Sequence, residues 1–500
     1  MQKSPDQHMS IRGLALRGLK WTAFTVFGTA TISIITLLVV SRFISPNDFG
    51  LMAIAMVLIG FINAFTDVGI SSAIIHRQDA TKRELSSLYW LNVLAGSVFF
   101  VFLIIIVPLI VFFVDEPELA PVLYFLSLNV LIAPFGKQFS VLLRRELSFN
   151  VLAKIEITAS ITSSLLTISL AISGSGVWSL AWGAFASTAI TTILLLRIGV
   201  RRFAPRFHFK YEDIKNYISF GLYQIGEHSV NYLGGRVDQL IMGSLLGVTS
   251  LGYYNFSYRL TNTLYQSINS IVNRVSFPIL AKIQNEEVRI RNVYFDIVGS
   301  LVSVTAPILI GLMIVGNTAV PLIFGPKWEP SVIYLQILCV VALMRAHGRP
   351  VGSLLLAKGR ADLGFKWNCV VLAILTPATA IGAISGGGIG VGIALLIALG
   401  ALKIVAYFAL IRPLVGPCGA IYICVSLKPI FSAVLMATSV KLAGLPFRSD
   451  LGNLVFQVFI GGGSYVFFLW LIDRKSFKNL LEMFFVALGG SREAEKQTST

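Results

Sequence analysis

Runs of uncharged apolar residues, too long for the core of a soluble domain, constrain this chain more than any other feature. Residues 92–114 (NVLAGSVFFVFLIIIVPLIVFFV) and 376–402 carry no charged side chain, and each exceeds the roughly 20 residues that cross a bilayer's hydrocarbon as a helix. Composition agrees: 55% of the 500 residues are hydrophobic and 13% charged. A soluble domain typically has about 25% charged residues to cover its surface. The chain is read as a polytopic integral membrane protein. Its first apolar run, Thr22–Val40, is too long for a signal peptide and no small-residue cleavage site follows, so it is the first span.

Counting such runs predicts an all-α fold of about fourteen transmembrane helices, near 20–41, 50–75, 86–114, 120–141, 150–172, 177–198, 216–242, 252–278, 294–316, 330–352, 364–384, 389–411, 420–440 and 452–472. The connections are too short to hold a folded soluble domain. A formal net charge of +16 would suit a nucleic-acid binder, but here the cations sit in short connections, as topology signals do. With a cytoplasmic N-terminus, the loop cations fall inside except Arg42, Lys327, Lys441 and Arg448. The outer loops are neutral or acidic, as at Asp115-Glu116-Pro117-Glu118. An even number of spans then returns the C-terminus to the cytoplasm.

Self-similarity recurs at about 202–214 residues: Phe49-Gly50 with Leu251-Gly252, Pro121-Val-Leu-Tyr124 with Ser331-Val-Ile-Tyr334, and Ser173-Gly-Ser-Gly176 with Ser385-Gly-Gly-Gly388. An offset of six spans keeps both halves in one orientation, which predicts two six-helix parallel-repeat bundles around a central cavity. The expected domains are an N-terminal lobe 1–198, a basic cytoplasmic linker 199–215, a C-terminal lobe 216–411, helices 13 and 14 in 412–472, and a cytoplasmic tail 473–500.

Polar groups inside hydrocarbon are costly, so those present face water, a ligand or one another. In span 8, Asn255, Arg259, Asn262, Gln266, Asn269 and Asn273 step by 4, 3, 4, 3 and 4, which keeps them on one helical face. Span 7 offers Gln224, Glu227, His228, Asn231 and Asp238 on a shared face with Arg236 nearby, and span 10 adds Gln336, Arg345, His347 and Arg349. One reading makes Asp238, Glu227, Arg236 and Arg259 internal ion pairs that hold helices together. The other makes Arg259, Arg236, Arg345 and Arg349 the cations that receive an anionic substrate, because the guanidinium fork binds phosphate oxygens bidentately. Asn255, Asn262, Gln266, Asn269, Asn231 and Gln224 would then meet sugar hydroxyls. Asp67, Glu227, Asp238 and His228 are the candidates for binding a coupling ion. No phosphate-cradling loop, HExxH or GxSxG motif occurs, and no metal or other cofactor is expected. The four cysteines, Cys339, Cys369, Cys418 and Cys424, lack metal-ligand spacing and are expected to be buried and structural.

Particular segments also resemble a known family. They are the opening GLKWTAFTVFGTATISIITLLVVSRF, the turn Ser45-Pro46-Asn47-Asp48-Phe49-Gly50, and Phe65-Thr66-Asp67-Val68-Gly69 with Ser71-Ser72-Ala73. Arg236-Val237-Asp238-Gln239 and Gly252-Tyr253-Tyr254 add to these. Together they resemble bacterial polysaccharide flippases of the Wzx type, in the WzxC-like branch of the multidrug/oligosaccharidyl-lipid/polysaccharide exporter superfamily. The resemblance implies ion-coupled translocation, by alternating access, of undecaprenyl-diphosphate-linked oligosaccharide repeat units across the bacterial cytoplasmic membrane for exopolysaccharide, capsule or lipopolysaccharide synthesis. It implies a proton or sodium ion as coupling ion, a polysaccharide polymerase and co-polymerase as partners, and no catalytic residues. Two rivals remain. A multidrug exporter would favour acidic cavity residues over the cations found here. A membrane-embedded polymerase would need a sizeable outer loop with catalytic groups.

Overall fold

The computed structural model describes residues 11–66, 74, 80–444, 447, 449–478 and 481, and every regular element among them is helical. In chain order these are α1 (Ile11–Phe43), α2 (Pro46–Thr66), α3 (Lys82–Val114), α4 (Leu119–Arg145), α5 (Phe149–Ile172), α6 (Val177–Arg202), α7 (Tyr211–Gly234), α8 (Val237–Leu246) and α9 (Val248–Lys282). There follow α10 (Glu287–Ala319), α11 (Ser331–Gly348), α12 (Pro350–Ala357), α13 (Ala361–Ala406), α14 (Arg412–Val415), α15 (Gly419–Leu442) and α16 (Asp450–Ile472). Among the described residues, eleven segments are long and apolar enough to cross a membrane, which makes the chain an integral membrane protein. Their outward faces are apolar: Phe112 of α3 is 79% exposed and Ile384 of α13 is 80% exposed, as suits side chains that meet lipid rather than water.

The differences from the expected spans have local causes. The Asp362–Val415 segment is 54 residues long but is broken at Gly386 (φ −147°, ψ 20°) and Gly387 (φ 58°, ψ −146°). Gly387's angles are open to glycine alone, so the expected Gly-rich turn divides the segment into two arms. Nearby, a Cβ on Gly390 would lie 2.1 Å from the Gly382 carbonyl. Helices α7 and α9 fall outside the apolar set, since their polar residues depress their hydropathy. The expected continuous span 216–242 is interrupted at Gly235 and Arg236, where α7 gives way to α8. Much of the expected linker 199–215 is helical and leaves only residues 203–210 between α6 and α7. Of the cysteines, Cys339 and Cys418 are buried, Cys369 is half-buried, and Cys424 is exposed, contrary to expectation.

The chain forms two compact units, Met1–Phe256 with Asn368–Val391, and Ser257–Trp367 with Gly392–Thr500. In the first, α5 packs between α1 and α6, and α4 against α3 and α6. The Ser45–Gly50 turn organises one end of it. The Ser45 hydroxyl donates to Asp48 Oδ2 at 2.6 Å and accepts from the Asp48 amide at 3.1 Å, a side-chain cap for α2. The other oxygen of Asp48 accepts the Val177 amide at 3.1 Å, which ties the start of α2 to the start of α6.

Beside this turn, α2 and α9 meet almost backbone to backbone. A Cβ on Gly50 would lie 1.9 Å from the Val248 carbonyl oxygen, and one on Gly252 would lie 1.8 Å from that of Pro46. Thr249 donates to Asn47 Oδ1 at 3.2 Å, across a separation of 202 residues. Pro46 and Val248, and likewise Gly50 and Gly252, stand at that same separation. The contact is therefore reciprocal, each glycine clearing a path for the other segment's carbonyl.

At the other end of this unit, Tyr217 and Ile214 of α7 pack with Leu85 and Leu88 of α3 and Val141 and Leu142 of α4. The 203–210 connection is bonded to α3: Trp90 Nε1 donates to the Arg206 carbonyl at 2.8 Å, and the Arg206 and Lys210 amides donate to the hydroxyls of Ser86 and Ser87. Asp213 accepts from Ser87 at 2.9 Å and faces His208 Nε2 at 2.8 Å.

In the second unit, α10 is central and packs against α11, α15 and α16. Tyr465 of α16 donates to the Ser303 carbonyl at 2.7 Å, and Ser426 of α15 lies 2.6 Å from His347 Nε2 of α11.

Two predictions follow from this packing. Gly50→Ala or Gly252→Ala forces a methyl group into a carbonyl and should lower stability by about 1–3 kcal/mol or more, read as a lower melting temperature in detergent. Gly463→Ala, where the added carbon meets nothing beyond its own helix within 4 Å, should leave that temperature unchanged or raise it, since alanine favours the helix. The second concerns Asp213. The Ser87 hydroxyl, with His208 and Lys210 beside it, holds its carboxyl below the usual carboxylate range. A lowered folded-state value stabilises the docked connection above the ordinary carboxylate pKa of about 4, and that support is lost as pH falls through the folded value. Amide exchange at Arg206 and Lys210, corrected for intrinsic rate, should therefore accelerate on acidification below about pH 4, and in Asp213→Asn at neutral pH.

Candidate functional site: arginines held by tyrosines

The break between α7 and α8 follows from Gly234-Gly235, which lacks side chains to favour a helix. Arg236 leaves the helical region at φ −139°, ψ 7°. Its guanidinium lies 4.2 Å from the centroid of the Tyr232 ring one turn earlier, a cation–π contact. Tyr232 is itself fixed, since its hydroxyl donates towards the Val57 carbonyl at 3.1 Å. Gly60 makes the room: a Cβ there would collide with the Tyr232 hydroxyl. Asp238, fully buried at the start of α8, accepts the Tyr254 hydroxyl at 2.6 Å and the Gln239 amide at 3.0 Å. An anionic carboxylate at a helix N-terminus meets the positive end of the dipole. Gln239 in turn accepts from Asn255 at 3.4 Å. Gln224 and Glu227 are half-buried, and His228 and Asn231 are exposed. Asp67 lies outside the described residues. These groups belong to the first unit.

The second unit carries the rest of the α9 stripe. Arg259 and Gln266 are exposed, Asn262 is half-buried, and Asn269 is buried with no partner for its Oδ1 among the described residues. The Asn273 side chain lies outside the described residues. At the joint of α11 and α12, Arg349 Nε donates to the Tyr265 hydroxyl at 2.7 Å, with the guanidinium 5.9 Å from that ring's centroid. Arg345, four residues earlier, is half-buried. Gln336 lies apart from these groups and donates to Asn317 at 3.3 Å, while His347 turns to Ser426 and Tyr422 of α15.

Among the described residues, then, Arg236, Arg259 and Arg349 have no carboxylate partner; two of them are oriented by tyrosines. A phenol or a ring face fixes a guanidinium without neutralising it, which leaves its charge and most of its donors for an anion. The Tyr232–Arg236 pair was available from its spacing of four residues. No local signal reports the Tyr265–Arg349 bond, which joins residues 84 positions apart.

Comparison with known proteins agrees with this architecture. Residues 39–333 match the family described as polysaccharide biosynthesis protein. The lipopolysaccharide biosynthesis protein WzxC of Escherichia coli (strain K12) is 34% identical over 82% of this chain and 83% of its own length. The chain belongs to this polysaccharide biosynthesis family. A second relative, the teichuronic acid biosynthesis protein TuaB of Bacillus subtilis (strain 168), is 33% identical over 73% of this chain and 76% of its own length. Among solved structures, the lipid II flippase MurJ in an inward closed conformation aligns with a TM-score of 0.74 at 14% identity, covering 90% of this chain and 98% of that one. This member of the family therefore has the MurJ-type helical fold.

The hydrogen bonds at Asp238 and Tyr265 have separable consequences. Tyr254→Phe leaves a buried carboxylate short of one donor and should cost about 1–3 kcal/mol, measured as a lower melting temperature in detergent. Tyr265→Phe should change stability less, because Arg349 is exposed and water replaces the lost phenol.

Proposed function

We propose that this chain is a flippase that carries undecaprenyl-diphosphate-linked oligosaccharide repeat units from the cytoplasmic to the outer leaflet of the bacterial cytoplasmic membrane. The product feeds exopolysaccharide, capsule or lipopolysaccharide synthesis. The observation that carries this reading is that, among the described residues, Arg236, Arg259 and Arg349 lack a carboxylate partner. A diphosphate crossing hydrocarbon needs fixed positive charge, whereas an exporter of organic cations needs the opposite sign. Family membership and the named roles of WzxC and TuaB in making polysaccharides support the same choice.

In this account Arg259 and Arg349 receive diphosphate oxygens, with Arg236 and Arg345 contributing. Asn255, Asn262, Gln266, Asn269, Asn231 and Gln224 serve sugar hydroxyls, and the polyprenyl tail stays in lipid. The reading assigns no catalytic step. Two repeat-related lobes, 1–198 and 216–411, would alternate access, and the reciprocal Gly50–Gly252 contact with its constant offset is what repeat-related segments about a two-fold axis would give. A proton or sodium ion is proposed to couple through Glu227, His228, Asp238 or Asp67. Asp238 can exchange such an ion only if Tyr254 releases it. Both termini would be cytoplasmic, and a polymerase with its co-polymerase would take the product.

Complementation of a deletion strain tests the arginines. Arg259→Ala and Arg349→Ala should each lower secreted polymer at least tenfold at wild-type membrane abundance. Arg→Lys at either position should restore only part of it, since lysine keeps charge but not the fork. Full secretion by both alanine variants would remove these residues from the mechanism.

A further inference from the structure

Residues 203–210 join the membrane helix α6 to α7, yet most of their aromatic side chains are turned outward. Phe203 packs inward on the α3–α4 cores. Beyond it, Phe207 is 95% exposed, Phe209 51% and Tyr211 60%. These three alternate with Arg206, His208 and Lys210 along an extended stretch. The backbone beneath them is not slack. It is held through Trp90, Ser86 and Ser87, while Phe207 stacks on Trp90 with centroids 4.8 Å apart. Rings displayed this way would be a liability in water, and the fastening keeps them displayed.

The charge around them is predominantly positive. Arg201, Arg206 and Lys215 are exposed and, among the described residues, have no carboxylate partner, and exposed Lys210 forms no ion pair although it stands near Asp213. The acids nearby are largely engaged: Glu146 pairs with Arg202 at 2.6 Å and Asp213 with His208, which leaves Glu212 exposed. The segment begins where the membrane helix α6 ends, so it lies at the level of the lipid headgroups. Aromatic rings beside cations at that depth suit an interface in which rings enter the acyl boundary and cations meet phosphates. Each cation near an anionic surface contributes on the order of 1 kcal/mol.

We propose that the 201–215 segment is a docking surface for the anionic phospholipid headgroups of the leaflet it faces, with Phe207, Phe209 and Tyr211 inserted and Arg201, Arg206, Lys210 and Lys215 on the phosphates. Anchoring the only connection between α6 and α7 in this way fixes the ends of both helices at one depth. The surface depends on membrane insertion alone and stands whatever the protein transports.

The test is a Phe207→Trp variant of the full chain in nanodiscs of phosphatidylglycerol or phosphatidylcholine, with the added emission obtained by difference from wild type. The added tryptophan should be quenched at least twofold more by brominated acyl chains in phosphatidylglycerol than in phosphatidylcholine, and should be shielded from iodide. Adding Arg206→Gln and Lys210→Gln should reduce quenching in phosphatidylglycerol to the phosphatidylcholine level. Equal access by iodide in both lipids would overturn the proposal and leave the surface to a soluble partner. Equal bromine quenching in both lipids, insensitive to the charge removal, would overturn the recognition of anionic headgroups. If Phe207→Trp fails to give a monodisperse protein, Tyr211→Trp reports the same surface by the same criteria.

Discussion

A guanidinium in a membrane helix must meet an opposite charge, water or an oriented polar group, because hydrocarbon offers nothing in return for its hydration. The architecture follows from how this chain meets that requirement. Arg236 is laid on a tyrosine ring and Arg349 is bonded to a phenol, so both are oriented and both keep their charge. Had the same arginines been paired with aspartate or glutamate, the helices would be as well fastened and an anionic ligand would find little to bind. The carboxylates that do form described ion pairs, Glu146, Asp213, Glu286, Asp296 and Asp362, do so with partners at helix ends and connections.

The same economy governs the backbone. A helix satisfies its own peptide groups, which is why apolar runs in lipid become helices. Where helices approach most closely, side chains are removed altogether. Gly50 and Gly252 let α2 and α9 lie carbonyl against Cα, and Asp48 spends both oxygens on the turn that brings α2 to α6. The conspicuous Ser45–Gly50 motif thus has a packing explanation that requires no ligand.

Much of this was legible beforehand for a simple reason: hydropathy is additive along the chain. Spans such as 86–114, which the structure extends to Lys82–Val114, and the break at Gly386-Gly387 can be read from residue type alone. Self-similarity matches Phe49-Gly50 with Leu251-Gly252, and the structure brings these matched segments together. What could not be read depends on three-dimensional proximity or on competition between local signals. The polar face of span 7 looked continuous, but Gly234-Gly235 outweighed it and moved Asp238 onto a separate helix, where Tyr254 binds it. The arginines could be nominated by type, whereas their tyrosine partners, 84 residues distant in the case of Arg349, could not. Lys and Arg counts marked the 199–215 stretch as basic, but nothing in its composition announced that Trp90 would hold it with its rings outward.

The central claim is that this chain moves lipid-linked repeat units out of the cytoplasmic leaflet. It is tested most directly by the leaflet distribution of lipid-linked repeat units after clean deletion of the gene in its native host. The account predicts loss of secreted polymer with lipid-linked repeat units trapped in the cytoplasmic leaflet, inaccessible to enzymes added from outside. Repeat units accumulating in the outer leaflet, flipped but unpolymerised, would contradict it.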